Sequence, residues 1–87
     1  TVIGAQAANE LLNIKGIKAS FVLTDYQGKI YVSARSYDSM NVQLVMERLG
    51  GGGHSTMAGT QLKDMTVEEA EAKVKSVIKS MKMEGEI

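Results

Sequence analysis

Four consecutive glycines, Gly50-Gly51-Gly52-Gly53, followed by His54, constrain this 87-residue chain more than any other feature. A helix does not run on through them, because glycine loses more backbone freedom on folding than any other residue and packs no side chain. They do permit positive backbone dihedrals, and they can turn several N–H groups toward one point. Such a concavity suits a phosphate or another anion. His54 is the only histidine in the chain, so an imidazole stands at its rim.

The helix before the glycines is short. Asn41 is a suitable N-cap for it, and Val42, Val45, Met46 and Leu49 form its apolar stripe. Gly50 fits the left-handed position after the last turn. Upstream, Ile3, Ala7, Leu11 and Ile14 recur at helical spacing, with Gly16 as a stop. Ile17, Ala19, Phe21 and Leu23 then alternate with Lys18, Ser20 and Thr24, which is strand period. Asp25-Tyr26-Gln27-Gly28 supplies turn chemistry, and Ile30, Val32 and Ala34 mark a second strand, so the two runs predict a hairpin.

Beyond the glycines, Met57 to Lys63 reads as a strand. The last helix is capped by Thr66 with Glu69 and carries the stripe Val67, Ala70, Val74, Val77, Ile78 and Met81. The predicted order is helix-strand-strand-helix-strand-helix. That is a small single α/β domain with a sheet of three or more strands, helices packed on it, and every one of these stripes buried. The chain does not begin with Met, and residues 1–87 read as a domain excised from the C-terminal part of a larger protein.

Composition narrows the function. Ten basic and ten acidic residues cancel, which argues against a module holding nucleic acid chiefly by counterion release. The absence of cysteine excludes disulfides and thiolate metal sites. One histidine cannot build a multi-histidine metal site, and nothing resembles a nucleophile elbow. The expectation is a domain that binds without catalysing. Its candidate residues are the glycine run, His54 and Arg35. Arg35 ends the second strand on the face of Tyr31 and Ser33; it is either a solvated edge residue or a guanidinium that grips phosphate in a bidentate fork. The six methionines read as core filler.

As a set, Ser33-Ala34-Arg35-Ser36, Asn41-Val42, Gly50 to His54 and Ala58-Gly59 resemble the signature of the DHH-associated C-terminal domain, first subfamily. The stretches Ala7 to Asn13 and Ile17 to Val22 are most similar to the GdpP branch of cyclic-di-AMP phosphodiesterases. The resemblance implies a division of labour. A separate DHH domain holds two manganese ions that activate water, and the associated domain binds the part of the substrate that is not cleaved. On that reading Arg35 carries the phosphate contact, and the backbone of Gly51, Gly52 and Gly53 forms the nest. His54 holds phosphate or base, while Ser36 and Asn41 support the arginine or the loop.

No metal ligand and no catalytic residue falls on this chain in that scheme. The implied ligand is a cyclic dinucleotide such as cyclic-di-AMP, hydrolysed to linear pApA. Two alternatives are a short single-stranded oligonucleotide, as in RecJ or oligoribonuclease types, and a plain interaction module. Partners are the parent's DHH domain and a homodimer paired along the hairpin edge. The domain would face the cytoplasm, with a membrane-anchored parent. Several members of the family it resembles carry small residues where this chain has Met57, a departure that leaves the base preference implied by the resemblance open.

Overall fold

The computed structural model describes residues 2–87. The elements are α1 (Val2–Leu12), β1 (Ala19–Tyr26), β2 (Lys29–Ser36), α2 (Val42–Arg48), β3 (Gly52–His54), β4 (Met57–Lys63) and α3 (Val67–Met83). The hairpin turns on Gln27 and Gly28, whose φ values of 51° and 78° are both positive. That is the turn geometry whose twist matches paired strands. All strand pairs are antiparallel, in the order β1-β2-β4-β3. Here β3 is an addition to the predicted order, formed by the glycine run itself.

One face of the sheet carries the core. Ile30, Val32 and Ala34 of β2 and Ala58 and Leu62 of β4 lie on it, with Phe21 and Leu23 of β1 half-buried beside them. Against them pack Val42, Val45, Met46 and Leu49 of the α2 segment and Ala70, Val74 and Met81 of α3. Full burial of each Val, Leu or Met side chain contributes roughly 1.5–3 kcal/mol. Met46 and Met81 are interior and Met40 and Met65 are partly buried against the core, but Met57 and Met83 are exposed, so core filling does not account for all six methionines. α2 starts where Asn41 Oδ1 accepts the Leu44 N–H, and α3 starts at the full Thr66–Glu69 capping box. Gly50, at φ 87°, closes α2 in the left-handed region.

The opposite face is polar, and α1 covers only its β1–β2 half. Here two sequence expectations are corrected. The buried residues of α1 are Gly4 and Ala8, whereas Ile3 is 77% exposed and Leu11 and Ile14 are exposed too. The helix ends at Leu12, so Ile14 lies in the following turn. Ser20, read as outward-facing, is buried beneath α1 and donates its hydroxyl to the Ala8 carbonyl at 2.7 Å. The reason is the surface that receives the helix. It carries Ser20, Ser33 and Arg35, so a close approach through small residues with one hydroxyl bond fits there. Ile3 lies instead at the edge of the face, with Val2, Thr24 and Tyr26.

Candidate functional site

Strand register lays out the polar face from β2 to β3 rung by rung. Arg35 of β2, Met57 of β4 and His54 of β3 share one rung. The guanidinium and imidazole therefore stand on backbones two strand spacings apart, roughly 10 Å, with Met57 between them. The next rung is Ser33, Gly59 and Gly52, which offers almost no side chain. Beyond it come Tyr31 with Gln61, then Lys29 with Lys63. The result is a hollow of about 790 Å³, bounded on the α1 side by Ala5 and on the other by Gly50 to His54. That volume lies within the range of small-molecule sites, roughly 300–1,000 Å³.

Arg35 is held in place before any ligand arrives. Its Nε donates to Asn9 Oδ1 of α1 at 2.9 Å, and Nη1 donates to its own neighbour's carbonyl, Ala34 O, at 2.9 Å. Among the described residues the Nη2 donors have no partner, so an oxygen ligand can take them. The two bonds from Nε and Nη1 fix the plane of the guanidinium and leave Nη2 aimed away from both partners. Asn9 was not singled out from the sequence. The signal was its position four residues after Ala5, which puts both on the α1 face that borders the hollow.

The glycines divide into those the fold needs and one it does not. A Cβ on Gly51 would meet Gly59 O at 2.1 Å and Thr60 Cβ at 2.5 Å, and one on Gly53 would meet Met57 O at 2.5 Å. These contacts let the end of α2 and β3 lie directly against β4, where Thr60 Oγ1 also donates to Leu49 O at 3.0 Å. A Cβ on Gly52 meets nothing within 4 Å. The run is thus an edge strand rather than a closed loop of converging amides, and the Gly51 N–H is already taken by the Met46 carbonyl at 2.8 Å. Gly52 and Gly53 supply the backbone that borders the hollow.

Ser36 and Asn41 lie behind the site. Ser36 is buried on the core face, and its hydroxyl donates to Met40 O at 2.6 Å and Ser55 O at 3.3 Å. With the Val42 N–H to Ser55 O bond at 2.9 Å and the Ser36 N–H to Thr56 O bond at 3.0 Å, it staples the turn after His54 to the start of α2. Asn41 caps α2. Only Ser36 contacts the turn after His54; the Asn41 side chain is spent on the cap. Met57 is half exposed and lies in the hollow rather than the core. Tyr31, Gln61 and Lys63 also line it; their parity with Arg35 and Met57 marked them once β4 was known to pair with β2.

No carboxylate lines the hollow, so none stands ready there to activate water. Among the described residues, no three His, Asp or Glu side chains come together as a metal site. The donor set here does not fit a metal pair. No helix among the described residues is long and apolar enough to cross a membrane.

The domain is three-layered, and one open sheet face carries an arginine, an imidazole and a rung of glycines. The chain belongs to the DHHA1 domain family, whose profile matches residues 2–82. It is 53% identical over 79 residues to the cyclic-di-AMP phosphodiesterase PdeA of Listeria monocytogenes, covering 90% of this chain and 12% of that protein. It is 44% identical over 78 residues to the cyclic-di-AMP phosphodiesterase GdpP of Bacillus subtilis, covering 88% of this chain and 12% of that protein. An A-adding tRNA nucleotidyltransferase of Aquifex aeolicus is 30% identical over 71 residues, covering 80% of this chain and 9% of that protein. The chain therefore spans about an eighth or less of the length of these relatives.

Proposed function

We propose that this domain binds one nucleotide unit of cyclic-di-AMP and presents the ring to a DHH domain elsewhere in the same protein, which cleaves it to pApA. The observation that carries the reading is Arg35, tethered by Asn9 and sharing a rung with Met57 and His54, beside the Ser33, Gly59 and Gly52 rung that offers almost no side chain. In this scheme the Nη2 edge of Arg35 takes a phosphate oxygen that is not being cleaved, and His54 donates to the same phosphate or stacks on the adjoining base. The glycine floor lets sugar and base lie against the backbone. The pair of manganese ions and the attacking water belong to the DHH domain; this chain's residues bind and orient. The outer edge of β1 is where a homodimer would pair, and the domain faces the cytoplasm.

Titrating cyclic-di-AMP into the isotope-labelled chain tests the binding step. The expected result is saturable amide shifts at Arg35, Gly52, Gly53 and His54. In the full-length phosphodiesterase, Arg35→Ala should lower turnover efficiency about 10- to 100-fold, the cost of deleting a charged hydrogen-bond donor. A plain interaction module predicts unchanged turnover in both Arg35→Ala and His54→Ala, and that outcome would remove the proposal.

A further inference from the structure

One rung past the bare floor, Tyr31 and Gln61 stand directly opposite each other on β2 and β4 and line the same hollow. Tyr31 is half-buried, and its ring is steadied by Tyr26, with centroids 6.4 Å apart and planes tilted by 58°. Gln61 is exposed, and its side-chain amide makes no hydrogen bond among the described residues. Along β2, Arg35 and Tyr31 are four residues apart, about 14 Å at ~3.4 Å per residue. Both ends belong to the lining of one hollow, with the Ser33 and Gly59 rung between them. At the near end the groups suit a phosphate; at the far end they are a ring face and a primary amide.

Those two groups do different chemistry on a base. An aromatic face stacks on any base, because every base has a π-face. A glutamine amide carries a donor and an acceptor side by side, the complement of adenine N7 and N6. Guanine offers two acceptors, N7 and O6, on the same edge, so one of its two contacts with the amide is lost.

We infer that Tyr31 and Gln61 form the base subsite of this domain, with Tyr31 as the stacking platform and Gln61 as the group that selects adenine over guanine. The inference rests on the hollow being a nucleotide site and adds the residues that set its base preference. Gln61 acts only through the base edge, so its removal leaves phosphate binding by Arg35 intact. Tyr31 acts on both bases alike.

The test measures dissociation constants of cyclic-di-AMP and cyclic-di-GMP for the wild-type chain and for Gln61→Ala, Tyr31→Ala and Arg35→Ala, with thermal melts to verify folding. The wild type should prefer the adenine ligand about tenfold or more, the discrimination of one bidentate amide contact. Gln61→Ala should lose that preference by weakening cyclic-di-AMP alone, with cyclic-di-GMP changed less than about twofold. Tyr31→Ala should weaken both ligands by a similar factor, on the order of tenfold. Arg35→Ala should weaken both equally and keep the preference. If both ligands bind through Arg35 but Gln61→Ala alters neither, or alters both alike, the base subsite is wrong and the phosphate reading stands. If the wild type binds neither ligand, the phosphate reading fails and takes this one with it.

Discussion

The glycine run allows stability and function to be separated at adjacent residues. In Gly51→Ala the new methyl would lie 2.1 Å from Gly59 O and 2.5 Å from Thr60 Cβ, well inside any tolerated contact. β4 cannot retreat, because it is paired to β2 on one side and β3 on the other. Overpacking of this kind costs about 1–3 kcal/mol. Spreading the strands also strains the Thr60 Oγ1 to Leu49 O bond, worth about 1 kcal/mol. A total of about 2–4 kcal/mol corresponds to a fall in Tm of roughly 10–30 °C for a domain of this size. Gly52→Ala is the contrast. Its Cβ meets nothing within 4 Å, and its φ is outside the left-handed region. Replacing glycine there stabilises by about 0.4–1 kcal/mol through the unfolded chain, a rise of roughly 2–8 °C. Yet the methyl stands on the floor of the hollow, and cyclic-di-AMP binding should weaken about tenfold, at the low end of an overpacking penalty. Thermal denaturation followed by circular dichroism, with ligand titration of each variant, measures both effects. A Gly51→Ala protein melting within about 3 °C of wild type would refute the close approach of β3 and β4. A stabilised Gly52→Ala that binds normally would refute a ligand resting on that floor.

Three further outcomes follow from single contacts. Asn9→Ala removes the Nε tether of Arg35 and should weaken cyclic-di-AMP about 3- to 10-fold; in an Arg35→Ala background it should add nothing, which a double-mutant cycle measures. Thr66→Ala breaks the capping box of α3 and should cost about 1 kcal/mol, lowering Tm by roughly 4–8 °C with no change in ligand affinity. Arg48 bridges Glu84 and Glu86 at the C-terminal end of α3, but these groups are exposed. Arg48→Ala should cost under about 1 kcal/mol, while amide exchange over 84–87 accelerates and the effect vanishes in high salt.

The hairpin, α2, α3 and the core they share were legible in the sequence because each rests on a side-chain period or a cap that residues state locally. Ile30, Val32 and Ala34 alternate; Thr66 and Glu69 bracket a helix start. Two features were not legible, for opposite reasons: the buried stripe of α1, itself predicted as a helix, and the strand β3. α1 shows a period, but of the wrong stripe: hydrophobicity ranks Ile3 and Leu11 first, while the polar strand face beneath selects Gly4 and Ala8. β3 shows no period at all, since glycine has no side chain to alternate. Its pairing depends on absent atoms, at Gly51 and Gly53, and such a requirement is visible only once β4 is in place.

The site had the same limit. Arg35 and His54 are nineteen positions apart in sequence, and neither identifies the other. What joins them is the strand order β1-β2-β4-β3, in which β4 pairs with β2 across the intervening helix and brings β3 with it. Once that order is set, parity does the rest: every second residue from Arg35 and from Met57 faces the hollow, and Tyr31 and Gln61 follow without further assumption. The hollow exists because α1 covers only half of a face that four strands make. A helix seated centrally over β2 and β4 would bury Arg35 and close the floor. The Gly4–Ala8 contact and the Ser20 bond instead hold α1 over β1 and β2, and Asn9, one residue beyond Ala8, is thereby delivered to the guanidinium. The contact that stabilises the helix is also the one that orients the arginine.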